Sequence, residues 1–363
     1  MADASVSIPA TEEVRPPVTS IGVIGWVRKN LFSNPFNSLL TLLTAYALYR
    51  TVPAFIKWAL VNAVWWSNGQ VCNQAAGACW SVVTRNFRFI LFGFYPYDQQ
   101  WRPVFSIGLL AAFVFYSSFP RNWNRYLLLV WTAGLAFIGL IMHGGIFGLP
   151  AVETEQWSGI SLTLLLSIFG LSAAYPFGVI LALGRRSRLP AIKTLSVLYI
   201  ELVRGVPLIS LLFMASVMFP LFLPEGITVN KILRAQVAII MFTATYVAEV
   251  VRGGLQAIPR GQYEAAESLG LNYYQKMRLI ILPQALKTVI PPTVSILISA
   301  FKDTSLVVII GLIDLLRTTH VTLSNPEWMG FTTEAYLFTA AIYFVGCFIM
   351  SNFGRRLEKT LKT

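Results

Sequence analysis

Residues 252–283 read RGGLQAIPRGQYEAAESLGLNYYQKMRLIILP, a polar island set in an otherwise apolar chain. Apolar runs lie on both sides of it, at about 235–251 and 285–312. Apolar residues make up 56% of the 363 positions and charged residues only 12%. That charged share is about half of the roughly 25% usual in a soluble domain. A soluble domain of this length would need more charge to cover its surface. The chain therefore reads as an all-α polytopic membrane protein, and the island as a polar connection between two of its spans.

Eight runs approach or reach the roughly 20 residues that cross about 30 Å of hydrocarbon as a helix. They fall at about 37–61, 104–119, 126–143, 159–183, 205–223, 235–251, 285–312 and 335–353. The seventh is expected to be interrupted near its middle. Under this count five basic groups share one side of the membrane. They are Arg28-Lys29, then Arg121 with Arg125, then Arg185, Arg186 and Arg188. The fourth is Arg252, Arg260, Lys276, Arg278 and Lys287, and the fifth Arg355, Arg356, Lys359 and Lys362. Basic residues in short connections mark the cytoplasmic side, which places both termini there. Arg85, Arg88 and Arg102 fall on the opposite side. The net charge of +12 reads as this orientation signal, with no nucleic-acid partner.

The spans group into three parts. Residues 1–36 read as a cytoplasmic tail without the apolar core of a signal peptide. Residues 37–158 form a three-span extension with an aromatic outer loop at 62–102, suited to the membrane interface or to docking a partner outside. There Phe87 to Phe94 is expected to dip into the bilayer, with its arginines snorkelling outward. Residues 159–363 form a five-span core that carries the loop 252–283. Three cysteines and two histidines leave no room for a zinc or haem site. Cys72 and Cys79 are close enough in sequence to form a disulfide in an oxidising compartment, or to be two buried thiols. Cys347 reads as a packing residue.

Within the island, Tyr263, Ala266 and Leu269 share one helical face, with Glu264 and Glu267 beside them near the first turn, where the helix dipole favours carboxylates. Ala265 and Ala266 permit close approach by a partner. Gly270 is expected to take positive φ and end the helix. A second helix should start near Asn272, and Pro283 should fix the return to the bilayer.

The spacing Glu264-Ala265-Ala266, Gly270, then Ile280-x-Leu282-Pro283 resembles the signature loop of permease subunits in bacterial ABC importers. The resemblance implies that Tyr263 through Gly270 couple the chain to a separate ATPase. The segments 246–254, 257–262, 200–208 and 302–306 are similar to permeases for polar amino acids. The segment 95–103, YPYDQQWRP, and its flanking spans resemble the longer M-type permease of general L-amino-acid importers. These handle acidic amino acids and their amides. The likeness covers nearly the whole chain except the tail. It implies a type I importer core, a second permease of the Q-type, an ATPase dimer, a periplasmic binding protein and a place in the bacterial inner membrane. The family usually has Arg-Gly-Thr-Pro where this chain has Arg204-Gly-Val-Pro207, so Val206 is assigned no polar role. No G-x-x-x-x-G-K-[ST] loop occurs, so ATP and Mg²⁺ belong to the partner ATPase, and this chain is a transport subunit with no cofactor of its own.

Ionisable groups inside spans are costly and are default functional candidates. Lys302 and Asp303 lie about 22 Å beyond Lys287 along an unbroken helix, and Ser299, Thr304 and Ser305 add hydroxyls. Pro291-Pro292 is expected to kink or break that helix. An interrupted helix with exposed polar groups suits a zwitterion held near the midplane. The other reading of Lys302-Asp303 is a neutralising pair that braces the permease interface. Glu201 with Arg204, and Glu249 with Arg252, are each three apart on one helical face. They are either ion pairs latching an inner gate or helix ends snorkelling to the interface. An ion-coupled carrier is the alternative class, but neither an inverted repeat nor a cluster of intramembrane acids supports it.

Overall fold

The computed structural model describes residues 22–123, 126–146 and 148–362. Most of the expected tail, and Arg125, lie outside the described residues. Two compact units emerge, one comprising residues up to Ser67 with Val71–Cys79, the other Asn68–Gln70 with Trp80 onward.

The first unit holds α1 (Gly22–Asn30) and α2 (Pro35–Ile56), and α2 runs on as a π turn to Val61. Asn34 caps α2 by accepting from the Asn37 amide at 2.8 Å, and Pro35 takes the first helical position, where its missing N–H costs nothing. No residue of α2 is buried, as expected of a helix apolar on every side that faces lipid or another chain. Cys72 and Cys79 form a disulfide with Cα atoms 5.5 Å apart, which is the first of the two readings for that pair. Val64 pairs with Cys79, and the Ala78 amide bonds the Trp58 carbonyl at 2.9 Å. The short helix α3 (Gly69–Gln74) follows this unit's last span.

The second unit begins with α4 (Ser81–Phe92), α5 (Trp101–Ser117) and α6 (Tyr126–His143). The expected aromatic loop thus contains a packed helix over its middle. Val82, Val83 and Ile90 are buried in it, the Thr318 hydroxyl donates to the Ile90 carbonyl at 2.6 Å, and Ser158 donates to Phe92 at 3.0 Å. Its arginines do not all snorkel. Arg88 bonds Gln100 Oε1 at 2.9 Å and the Tyr97 carbonyl at 3.0 Å. Arg102 is fully buried, with both terminal nitrogens 2.9 Å from the Pro150 carbonyl oxygen. Buried polar groups must be bonded, and the terminal nitrogens of Arg102 find their partner beyond α6, while its buried Nε has none among the described residues. Tyr95 is buried beside Arg102 and donates to the Met142 carbonyl at 2.8 Å, and burial pushes its phenol up to about 12. The YPYDQQWRP segment is therefore a knot that joins α4 and α5 to the end of α6 and the turn after it.

Next come α7 (Gly159–Arg185), α8 (Pro190–Gly205), α9 (Leu208–Phe213) and α10 (Lys231–Ala257). After them lie α11 (Arg260–Ser268), α12 (Tyr273–Lys276), α13 (Leu282–Asp303), α14 (Leu315–Leu323) and α15 (Thr332–Lys362). Small residues set the helix spacing. A Cβ on Gly170 would meet Ile239 at 2.9 Å, and one on Gly254 would meet the Ala285 carbonyl at 2.9 Å. Close backbone approach through glycine is how helices associate in lipid. The central core joins α7, α8, α10 and α13 through Ala174, Leu181, Ile200, Val247, Val251 and Val289. Another cluster joins Leu110 of α5, Leu135 and Ile138 of α6 and Leu165 of α7. Packing thus groups the helices expected as the second and third spans with the later ones.

Among the described residues, six helical stretches are long and apolar enough to cross a membrane. A seventh span arises if α8 and the stretch Leu208–Phe222, bent by 101°, count as one. The eight spans expected are reached only by adding α5, whose 17 residues sit at the lower limit for crossing. The expected break at Pro291-Pro292 is absent, because α13 runs through both prolines. Such prolines are tolerated where neighbouring groups serve the freed carbonyls. The helix changes later, at Thr304, where a 3₁₀ stretch runs to Ile310 and ends at Gly311 with φ 75°.

Candidate functional site

The island folds as a helical hairpin at one end of the bundle. Helix α11 starts after Pro259 and ends at Leu269, and Gly270 takes φ 72°, as its position required. Asn272 then caps α12 in a reciprocal capping box with Gln275, which satisfies two otherwise orphan amides. Ala266 is fully buried, Tyr263 half-buried, and Glu264, Ala265 and Glu267 exposed. Leu269 does not join the buried face. It is 74% exposed, and Tyr274 beside it is 65% exposed, so the hairpin tip presents apolar surface outward. Lys276 pairs with Glu267 across the two helices. That bond and charge hold the Glu267 carboxyl below its usual range. Tyr263 donates to the Leu255 carbonyl at 3.1 Å and receives Arg186 at 3.3 Å. An open groove of about 470 Å³ lies alongside, lined by Arg186, Gln256, Arg260, Tyr263 and Glu264 among others.

Next to the hairpin, the four sequence-predicted charges are brought together, with one of the two expected pairs formed and the other replaced. Glu249 bonds Arg252 at 2.7 Å within α10, as its spacing implied. Glu201 pairs with Arg185 at 3.0 Å rather than with Arg204. Arg185 also lies 2.7 Å from Glu249, and Arg204 lies 3.7 Å from it. Three arginines thus surround one carboxylate, and the ends of α7, α8 and α10 share one ion cluster. Arg185 was read from the sequence only as an orientation residue. Its contacts lie 16 and 64 residues away, beyond any local spacing signal.

At depth along α13, Ser295, Ser299 and Lys302 are all exposed, at the four- and three-residue steps of a single helical face. Asp303 is half-buried, and Thr304 is buried with its hydroxyl on the Phe301 carbonyl at 2.8 Å. Ser305 likewise donates to the Lys302 carbonyl at 2.9 Å. Neither Lys302 nor Asp303 forms an ion pair among the described residues, although the Lys302 charge acts on the Asp303 carboxyl. Asp314, which the sequence reading missed, is buried and caps α14 by accepting from Leu316 and Arg317, while Tyr343 donates to it at 3.1 Å. Burial pushes its carboxyl up. An Asp immediately before Leu-Leu-Arg is a helix-start signal that could have located it.

Comparison with known proteins gives this geometry a context. Residues 174–363 match the family described as binding-protein-dependent transport system inner membrane component. The inner membrane amino-acid ABC transporter permease protein YhdY of Escherichia coli K12 is 47% identical, over 93% of both chains. The glutamate/glutamine/aspartate/asparagine transport system permease protein BztC of Rhodobacter capsulatus is 38% identical, over 99% of both. Among solved structures, an amino acid ABC transporter with histidines aligns at 30% identity and a TM-score of 0.50. It covers 65% of this chain and 99% of the other.

Proposed function

This chain belongs to the binding-protein-dependent transport system inner membrane components, and we propose that it is the M-type permease of an ATP-driven importer of polar L-amino acids. The substrate class we assign is acidic amino acids and their amides. The observation that carries the reading is the pair of features at the two ends of the stretch 260–310, formed by the hairpin and the long helical segment 273–310 that leaves it. At one end stands a capped hairpin with an outward apolar tip, and at the other stand two adjacent charges, Lys302 and Asp303, in no ion pair among the described residues. The full-length likeness to a relative named for glutamate, glutamine, aspartate and asparagine supports the substrate class.

In this account both termini are cytoplasmic, and the chain pairs with a Q-type permease. An ATPase dimer binding ATP and Mg²⁺ grips Tyr263, Glu264, Ala265, Ala266, Glu267, Leu269 and Gly270. A periplasmic protein delivers the amino acid. ATPase closure displaces the hairpins and rocks the two permeases between outward and inward states. Ser299, Lys302, Asp303, Thr304 and Ser305 line the path, where Lys302 meets an α-carboxylate and Asp303 an α-ammonium group. Glu201, Arg204, Glu249 and Arg252 belong to the inner gate.

The test is Asp303→Asn in the purified complex. Substrate-stimulated ATPase and uptake should fall together while assembly is unchanged. Normal uptake by an assembled variant would remove Asp303 from the path. A second reading, import of cationic amino acids, draws on the solved amino acid transporter with histidines. Competition between glutamine and arginine for uptake separates the two.

A further inference from the structure

Two adjacent arginines close α7, and they do different work. Arg185, the last residue of the helix, reaches Glu201 of α8 at 3.0 Å and Glu249 of α10 at 2.7 Å through the same terminal nitrogen. Arg186, the next residue, donates to the Tyr263 hydroxyl of α11 at 3.3 Å, with its guanidinium carbon 5.8 Å from the ring centre. Tyr263 in turn donates to Leu255 in the last turn of α10. The hairpin is thereby tied to α7 by one arginine, and α7 to the ends of α8 and α10 by its neighbour. Side chains on consecutive residues of a helix end share one backbone and cannot be displaced independently.

The cluster is also built around Arg185. It alone touches both carboxylates, and among the described residues Glu201 has no other ion-pair partner. Glu249 keeps Arg252 and Arg204 if Arg185 is removed, but Glu201 keeps none. Loss of Arg185 therefore removes the ion pairs that tie α7 to α8 and to α10, while Arg204 of α8 stays with Glu249 of α10. Just beyond the end of α8 lies Val206-Pro207, where the chain turns through 101° into the stretch Leu208–Phe222.

We infer that Arg185 and Arg186 form the link that carries displacement of the α11 hairpin to the inner ends of α8 and α10, with Arg185 as the positioning residue of the gate. This rests on the permease reading above and adds two residues that the coupling loop and the four expected charges do not include. The link works through charge and ring contacts at a helix end, and it needs no contact with the transported solute.

The test reads motion and transport separately. The complete complex carries spin labels at exposed Leu202 of α8 and exposed Ala257 of α10, with Cys347 replaced by Ser. The distance between labels is measured with and without ATP, and uptake per ATP hydrolysed is measured on unlabelled complex. The unaltered pair of arginines should give an ATP-dependent distance change. Arg185→Gln and Arg186→Gln should abolish it and lower uptake per ATP by about tenfold, with ATP hydrolysis retained. Arg185→Lys should preserve both, since one nitrogen serves both carboxylates and a lysine supplies one. A full distance change in Arg185→Gln, or an Arg185→Lys as impaired as Arg185→Gln, would overturn the link. Failure of the amino-acid reading looks different, as a normal ATP-dependent distance change without amino-acid uptake.

Discussion

Gly178 of α7 lies so close to α10 that a Cβ at this position would stand 2.6 Å from the Val247 Cβ and 2.7 Å from the Ala244 carbonyl oxygen. Val247 is completely buried, so it has nowhere to move. Overpacking of this kind costs about 1–3 kcal/mol. Gly178→Val should lower the thermal midpoint of the detergent-solubilised complex and the yield of assembled material. Gly108→Ala on α5, where no atom lies within 4 Å of the new methyl, should leave both unchanged.

Arg102 is buried without a carboxylate partner and holds the Pro150 carbonyl through two nitrogens. Arg102→Met keeps the stem's volume but leaves that carbonyl unbonded. The expected loss is about 1.5–3 kcal/mol, the range for hydrogen bonds to charged groups, read as a fall in thermal midpoint. Arg85→Gln, at an exposed position on α4, should cost nothing measurable.

The Glu267 carboxyl is held below its ordinary value of 4.5 by its bond to Lys276 and that residue's charge. A depressed carboxylate contributes above its unfolded pKa and loses that contribution as pH falls through the folded one. Amide exchange in 264–278, corrected for intrinsic rates, should stay level from pH 8 to 5 and rise below about 4.5. In Glu267→Gln the exchange should be uniformly higher and show no acid step. An acid step that persists in the variant would assign the effect to another group.

Cys72 and Cys79 are bonded to each other and Cys347 is free. Maleimide labelling of denatured, unreduced protein should add one label by intact mass, and prior reduction should add three. Three labels without reduction would contradict the disulfide.

What the sequence made legible was local. The hairpin's turn at Gly270, the cap at Asn272 and the pairing of Glu249 with Arg252 each follow from residue type at a fixed short spacing. Arg185 escaped because its partners sit on other helices, and only packing decides which helix ends meet. The knot around Arg102 and Tyr95, bonded to Pro150 and Met142, escaped for the same reason. An arginine in an outer loop reads as exposed until the fold supplies a carbonyl for it. Of the kink or break expected at Pro291-Pro292, the break does not occur, because α13 continues as a helix through both prolines.

The account stands on the claim that this chain is the pore of an importer and that the motor is another protein. Uptake of labelled glutamate and glutamine into proteoliposomes tests it most directly. It is measured with this chain alone and with its second permease, ATPase and binding protein. Uptake should require all the components and lumenal ATP, and it should vanish when ADP replaces ATP. Uptake by this chain alone, driven by an ion gradient and indifferent to ATP, would contradict the account and return the chain to the class of self-contained carriers.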